Sequence, residues 1–306
     1  MPGIKYVSYH DLDKQKWDDC IASSVNGLIY AKSFFLDAVA AQWDAVILND
    51  YEAVMPVCCK QKWGIKYLYQ PAFIQQGGIY FKMNLAQDIP FLFFITLHKH
   101  FAFAEINLNY ANPAVTLPGF TFRGRNNYII DLKRSYDIIS SAYSKNAAQE
   151  LRRLKKFNLK YIDSADTDEA IEMYRQLYGQ EMSYSKSDYE HFKTVCKNVA
   201  IENKVFVRQV RDEENELLAL VLLLKDEHRM YNIISCILPE GKKYSANYFL
   251  YDELVKEFSG QSLLLDFEGS DVEGIKYFYE KFTQVNQSYL FMKYNRLPWP
   301  IKLFKK

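Results

Sequence analysis

The chain has 306 residues, enough to bury a large core, and its length favours two domains over one. Its formal net charge is +1, so no global electrostatic field draws it to nucleic acid, and no DNA partner is expected. The longest apolar run, Ile89–Leu97, is about half of what a bilayer-spanning helix needs, so we expect no transmembrane segment.

The cysteines are odd in number and show no paired metal-ligand spacing. They are Cys20, Cys58, Cys59, Cys196 and Cys236. Because the N-terminus also lacks a signal-peptide pattern, we expect reduced thiols in a cytoplasmic protein and no metal site.

The first half of the chain predicts helices, a hairpin and a strand–helix–strand segment. The predicted helices are Asp11–Ser23 and Ser33–Gln42. The hairpin has the strands Ala45–Leu48 and Glu52–Cys59 on either side of an Asn49-Asp50 turn. After it come a strand at Tyr67–Tyr69, a helix at Asp88–Phe101 and a strand at Ala104–Leu108.

The second half repeats this order, which predicts an internal duplication. Its first three strands are Lys204–Val210, Glu216–Leu224 and Arg229–Cys236. After them come a segment predicted to break the regular structure, a breaker at Leu238–Tyr244, then a helix at Ser245–Phe258 and a strand at Ser262–Leu265. We therefore predict an α+β protein of two related domains, residues 1–142 and 143–306. Each is expected to be a mixed, mainly antiparallel sheet flanked by helices.

The segment between the repeats carries a polar turn and a basic helix. Arg123–Leu132 is predicted to run into a strand that closes the first domain. The helix Ala147–Phe157 includes Arg152 and neighbouring cations. Its charges are either a solvated face or a cation set for phosphates or carboxylates in a cleft between the domains.

The stretch Ser262–Phe282 carries the strongest candidate site. The apolar run Leu263–Leu265 predicts a strand buried on both faces, followed by Asp266, Glu268 and a turn at Gly269-Ser270. A helix with Ile275, Phe278, Tyr279 and Phe282 on its apolar side comes next, with Ser270 or Asp271 as its cap. Open α/β sheets bind ligands at such strand ends. The alternative is that these residues only cap the helix and satisfy the amides of the turn.

Several segments together resemble the Fem-type (FemABX-like) proteins, which are tandem GNAT-fold N-acyltransferases. They are Arg125-Asn-Asn-Tyr128, Tyr143-Ser-Lys-Asn146 with the basic helix, and Leu265-Asp-Phe-Glu-Gly-Ser270 followed by Gly274–Phe282. Some members of that group add amino acids from aminoacyl-tRNA to peptidoglycan precursors.

The sequence departs from that group and its relatives in two places. Acyl-CoA-binding GNAT enzymes hold the pyrophosphate on a glycine-rich loop at a helix N-terminus. Here the equivalent segment, Pro239–Asn247, has a single early glycine, which weighs against acyl-CoA. Peptidoglycan-acting members tend to have a Phe-Lys pair on the last helix, whereas this chain has Phe278-Tyr279.

The resemblance implies acyl transfer to an amine in the cleft between the domains. Asp266 or Glu268 is the expected base, with Asp266 facing the cleft, and Tyr248 at the start of a helix is the expected acid. Strand amides near Tyr231–Ser235 are the expected donors to the oxyanion. The expected substrate-binding residues are Arg125, Lys145, Asn146, Arg152, Tyr231, Lys242, Lys243, Asn247, Ser270 and Lys276.

The sequence therefore predicts an N-acyltransferase that acts on an amine of a cell-wall or other precursor. Aminoacyl-tRNA and acyl-CoA are the candidate donors, and no resident cofactor is expected. The alternatives are an acyl-CoA-dependent N-acetyltransferase and a non-catalytic GNAT-like binding protein. The tail Leu297–Lys306 mixes rings with lysines, and we expect it to pack on its own domain rather than on a membrane.

Overall fold

The computed structural model describes residues 3–40, 42–202, 204–269, 271–299 and 301–302. The chain forms two compact units. The first contains the residues up to Arg125 and those from Ser288 onward, and the second is Asn126–Gln287. This division is not the one expected from the sequence, because a C-terminal strand returns to the first unit.

Runs of strands are separated by helices along the described part of the chain. The strands are β1 (Ile4–Val7), β2 (Trp43–Leu48), β3 (Ala53–Lys62), β4 (Ile65–Leu68), β5 (Tyr80–Phe81), β6 (Phe103–Asn107), β7 (Phe120–Arg125), β8 (Ile129–Asp131), β9 (Lys160–Ser164), β10 (Val205–Arg211), β11 (Leu217–Lys225), β12 (Arg229–Ile237), β13 (Leu264–Asp266) and β14 (Tyr289–Asn295). The helices are α1 (Lys14–Ser23), α2 (Ser33–Val39), α3 (Ile89–His100), α4 (Tyr136–Ser141), α5 (Lys145–Leu154), α6 (Thr167–Tyr178), α7 (Lys186–Ala200), α8 (Pro239–Tyr244), α9 (Ala246–Phe258) and α10 (Glu273–Tyr279).

The sheet of the first unit has the strand order β1-β2-β3-β4-β6-β14-β7, with β5 paired to β3. The last strand, β14, is antiparallel to both β6 and β7. The first unit therefore takes a central strand from the far end of the sequence.

The sheet of the second unit has the order β9-β10-β11-β12-β13-β8. The strand at Ile129–Asp131 was expected to close the first domain, and this expectation is wrong. It pairs antiparallel with β13 at the edge of the second sheet. A local apolar pattern predicts a strand here without specifying its partner.

The predicted duplication is present as a repeated pairing pattern. In each unit, three consecutive strands pair antiparallel (β2-β3-β4 and β10-β11-β12). In each, a helix then leads to a strand parallel to the third (β6 and β13). The α+β class with two mixed, helix-flanked sheets is thus confirmed.

Burial accounts for the central position of β11. Its residues from Leu218 to Leu224 are 0% exposed. A strand with apolar residues on both faces must lie inside a sheet covered by helices on both sides. The core of the second unit accordingly joins β11 and β12 to side chains of α9 and α10, among them Leu250 and Tyr279.

Three sequence expectations about helices are corrected. The segment predicted as a breaker forms the short helix α8, because Pro239 suits a first helical position. Helix α10 begins at Glu273 with Val272 as its N-cap residue, so Asp271 is not the cap. Ile275, expected on the apolar side, is 43% exposed. Ser270 lies outside the described residues.

Within the described ranges, no helix is long and apolar enough to cross a bilayer. In the tail, Trp299 is 79% exposed, and Pro300 and residues 303–306 lie outside the described residues.

Candidate active site in the second unit

The central strands of the second unit part at their carboxyl ends. The parallel pairing of β12 with β13 covers Arg229–Tyr231 against Leu264–Asp266, whereas β12 continues beside β11 to Ile237. A register shift in the β11–β12 pairing gives β12 one extra residue at Ile233. Such bulges bend a strand away from its neighbour. Open α/β sheets bind ligands at strand ends, so this opening in the strand pairing is the candidate site.

Asp266 ends β13 at this opening and is fully engaged by its neighbours. Its side chain is 1% exposed and forms an ion pair with Arg229, which is 5% exposed. Oδ2 also accepts from Nδ2 of Asn127 at 3.3 Å, and Oδ1 accepts from the backbone N–H of Glu268 at 2.9 Å. A carboxylate that is buried, paired and hydrogen-bonded on both oxygens is poorly suited to accept a proton from a substrate.

Glu268 has the opposite surroundings. Among the described residues, no hydrogen-bond partner reaches its buried Oε1. Burial raises the pKa of this carboxyl well above its usual range. The residue also has φ +64°, a left-handed conformation that is uncommon outside glycine. Unsatisfied buried acids and strained backbone both concentrate at functional sites.

Two buried phenols lie in the same environment. Burial raises the pKa of Tyr279 well above its usual range, and the neighbouring Tyr251 and Glu268 add to that rise. The Tyr251 and Tyr279 ring centroids are 6.4 Å apart. The hydroxyl of Tyr251 accepts from Nδ2 of Asn232 at 2.6 Å and lies 3.0 Å from Oγ of Ser235. The hydroxyls thus extend from the carboxyl of Glu268 towards the bulged part of β12.

This arrangement supplies the groups that proton transfer needs. A carboxyl group whose pKa is raised accepts and releases protons closer to neutral pH than an exposed one does. The hydroxyl of Tyr251 donates to Oγ of Ser235, and the Ser235 hydroxyl can in turn donate a hydrogen bond to a developing negative charge. The sequence pattern had assigned Tyr279 to the apolar side of its helix and had not singled out Tyr251. The available signal was that a buried tyrosine hydroxyl generally needs a partner.

The predicted residues at the start of α9 lie on the surface of the unit. Lys242 and Lys243 are exposed on α8, and Lys243 pairs with Glu240. Asn247 is half-buried in the first turn of α9. The hydroxyl of Tyr248 donates to Oδ1 of Asn146 at 3.2 Å, which joins α9 to α5.

The single glycine of this segment has a packing role. A Cβ atom at Gly241 would lie 2.0 Å from the carbonyl oxygen of Leu218. The glycine therefore allows α8 to approach β11, and a helix occupies the position expected for a pyrophosphate loop. Arg153 of α5 donates to the carbonyl of Tyr244 at 3.2 Å and to Oγ of Ser245 at 3.0 Å, between α8 and α9.

The other predicted residues are dispersed. Lys145 and Arg152 are exposed on α5. Tyr231 is 0% exposed, and its hydroxyl donates to Asp226 at 2.5 Å. Lys276 is half-buried, with its Nζ 3.9 Å from Oε1 of Glu280. Arg125 belongs to the first unit, where its guanidinium lies 5.0 Å from the Phe291 ring centroid.

The equivalent strand ends in the first unit are filled by its own chain. There β4 and β6 pair in parallel, and Gly77 then bridges to Leu108. The carbonyl of Ile79 accepts from the side-chain amides of Asn26 at 2.9 Å, Asn109 at 2.9 Å and Asn112 at 2.8 Å. We call these three asparagines the amide cluster.

Residues 141–273 match the sequence profile of a family described as acetyltransferase (GNAT) domain. The matched segment lies within the second unit and includes β12, β13 and Glu268. No curated protein sequence matches the chain.

Solved structures share the fold over almost the whole chain. FemX covers 98% of this chain and 99% of its own, with TM-score 0.62 and 11% identity. L-PGS from Bacillus licheniformis covers 95% of each chain, with TM-score 0.52 and 12% identity. The C-terminal domain of a putative lysylphosphatidylglycerol synthetase from Agrobacterium fabrum covers 96% of each, with TM-score 0.55 and 9% identity. At such identities, the likeness concerns the fold.

Proposed function

We propose that this chain, which has the GNAT fold of the Fem-type proteins, is an N-acyltransferase that transfers an acyl or aminoacyl group to an amine. The observation that carries the proposal is the buried Oε1 of Glu268, which no hydrogen-bond partner among the described residues reaches, where the pairing of β12 with β13 ends. The surrounding second unit matches the acetyltransferase profile, which supports transferase chemistry at this place.

In the proposed reaction, the ionised carboxylate of Glu268 takes a proton from the acceptor amine. The amine nitrogen attacks the carbonyl carbon of the donor, and the new N–C bond gives a tetrahedral oxyanion. The hydroxyl of Ser235, whose Oγ accepts from the hydroxyl of Tyr251 at 3.0 Å, donates a hydrogen bond to that oxyanion. Collapse breaks the bond to the leaving oxygen or sulfur, which receives the proton held by Glu268.

The structure of the α8–α9 segment favours an aminoacyl ester over acyl-CoA as the donor. A pyrophosphate needs several backbone N–H groups that a close glycine-rich approach exposes. Here Gly241 is used for packing against Leu218, and no second glycine follows. Aminoacyl-tRNA is therefore the proposed donor, and an amine of a cell-wall or lipid precursor the proposed class of acceptor. Because aminoacyl-tRNA is a cytoplasmic molecule, the proposal also places the protein there.

Incubation with a charged tRNA pool and a panel of amines, followed by mass spectrometry of the amines, tests the proposal. We expect an added aminoacyl mass with the native chain. Glu268→Gln cannot accept the proton, so turnover should fall by roughly a hundredfold or more with the fold intact.

Glu273→Gln is the matched control, because Glu273 is an exposed acid in the first turn of α10. It should keep full activity. Unchanged turnover in Glu268→Gln would remove Glu268 from the mechanism, and an acyl product formed only from acyl-CoA would replace the proposed donor.

A further inference from the structure

We propose that Asp266, oriented by Arg229, is a positioning residue that holds the carboxyl group of Glu268 inside the candidate active site. The inference rests on the proposed function only in so far as Glu268 is the base of the reaction. Asp266 acts through the backbone of Glu268, so it is not itself a catalytic residue.

The ion pair between Arg229 and Asp266 is buried. Arg229 begins β12 and Asp266 ends β13, and their side chains are 5% and 1% exposed. Two charges removed from water cost free energy that their attraction only partly returns, and apolar residues often replace such pairs without loss of stability. Stability alone therefore does not account for a charged pair at this position.

The Asp266 carboxylate has a fixed orientation. Nη1 of Arg229 donates to Oδ2 of Asp266. Nη2 of the same guanidinium donates to Oε1 of Gln287 at 2.9 Å. The backbone N–H of Gln287 donates to the backbone carbonyl of Asn127 at 2.7 Å. The side-chain amide of Asn127 donates to Oδ2 of Asp266. These four residues form a closed hydrogen-bonded ring that leaves Oδ1 pointing in one direction.

Oδ1 of Asp266 holds the backbone at Glu268. It accepts the backbone N–H of Glu268 at 2.9 Å, the bond by which an aspartate closes a turn two residues ahead. Glu268 has φ +64°, which residues with a Cβ atom adopt only when their surroundings hold them there. Without an acceptor at position 266, the backbone is free to return to an extended conformation, which redirects the Glu268 side chain.

The titration of Glu268 reports its position without any substrate. The acidic groups around it are Tyr279 of α10, Tyr251 of α9 and the paired Asp266, and Tyr174 of α6 faces Tyr279. Burial keeps the pKa of Glu268 well above its usual range. A glutamate carboxyl group exposed to solvent would have a pKa of about 4.3 instead.

The test follows the titration midpoint of Glu268 by NMR of protein labelled with carbon-13 at the glutamate carboxyl group, with Glu268→Gln identifying the signal. Asp266→Leu combined with Arg229→Met removes the acceptor and both charges, and we expect the midpoint to fall to the ordinary range. Asp266→Asn keeps an acceptor oxygen, and we expect the midpoint to stay raised.

An ion pair between a buried arginine and a partly exposed glutamate provides the control. Arg208 is 6% exposed and bonds Glu257 between β10 and α9. Arg208→Met combined with Glu257→Leu should leave the Glu268 midpoint unchanged.

A folded Asp266→Leu/Arg229→Met protein whose midpoint stays raised would overturn the proposal. If that variant does not fold, Asp266→Ala replaces it, because alanine has no side-chain acceptor and the bond from Arg229 to Gln287 remains. A lowered midpoint then supports the proposal, and an unchanged one rejects it. Loss of the proposed acyl transfer would leave these midpoints unaffected, so the two ideas fail separately.

Discussion

Burial raises the pKa of the Tyr279 phenol, and the Glu268 carboxyl beside it adds to that rise. The two acids share one apolar environment, in which neither ionised form is well solvated. This relationship makes the second unit sensitive to pH through Glu268, whose pKa is raised within the folded state.

Glu268→Gln should make the protein more stable than the native chain at neutral pH. Because the folded-state pKa is above the unfolded value, the stabilisation from protonated Glu268 is complete below the unfolded pKa. It is lost as the pH rises through the folded pKa, by about 1.4 kcal/mol for each pH unit between the two values.

Urea unfolding between pH 4 and pH 8 measures this difference. The native chain and Glu268→Gln should have similar free energies of unfolding at the acidic end and diverge as the pH rises. Glu273→Gln should follow the native curve throughout. Parallel curves for the native chain and Glu268→Gln would show that Glu268 has an ordinary pKa.

Gly241→Ala should destabilise the second unit. The added Cβ would lie 2.0 Å from the carbonyl oxygen of Leu218, and both atoms belong to packed secondary structure. We expect a loss of about 1–3 kcal/mol or more, because overpacked sites of this kind force the backbone to move. Chemical denaturation measures the loss.

Gly274→Ala is the matched control for that substitution. Gly274 lies in α10, and a Cβ there would meet no atom within 4 Å. Alanine has the higher helix propensity, so this variant should gain up to about 1 kcal/mol. Equal losses at both positions would argue against the close approach of α8 to β11.

Asn26→Ala should destabilise the first unit through the amide cluster. Its side chain is 0% exposed, donates to the carbonyl of Ile79 and accepts from the backbone N–H of Phe81 at 3.1 Å. The variant leaves that N–H buried without its acceptor, at a cost of about 1–3 kcal/mol.

Asn158→Ala is the corresponding surface substitution. Asn158 is exposed, and within the described ranges its side-chain amide bonds only Glu213. Its removal should change the free energy of unfolding by less than about 0.5 kcal/mol. A similarly small effect for Asn26→Ala would mean that water replaces the lost amide.

Acetyl-CoA should show no measurable affinity in titration calorimetry. The segment that would receive its pyrophosphate is folded as α8, and its glycine is used against Leu218. A micromolar Kd, about −8 kcal/mol, would favour an acyl-CoA-dependent acetyltransferase. A heat signal that survives Lys242→Ala/Lys243→Ala would place that binding elsewhere.

The position of the candidate site could be predicted from the sequence, but the roles of its two carboxylates could not. The buried run before Asp266 indicated a strand end, and alternation along that strand indicated that Asp266 and Glu268 face differently. Asp266 is paired by Arg229 on β12, 37 residues earlier in the chain. No local pattern reveals a partner that only the sheet register brings close.

The duplication was predictable because it repeats in element order, whereas the limits of the units were not. Strand pairing decides to which unit β8 and β14 belong, and hydrophobic patterns are similar for any buried strand. The role of Gly241 was equally hidden, because a glycine needed for close packing and one needed for a phosphate look the same in a sequence.

The position of β14 also constrains how the protein is made on the ribosome. Strands β6 and β7 are synthesised early, but the strand that lies between them is Tyr289–Asn295. The second unit has all its strands within Asn126–Gln287 and can fold while β14 is still to be translated. Nascent chains that stop before Tyr289 therefore leave two strand edges of the first unit without their partner, and such edges invite aggregation and chaperone binding.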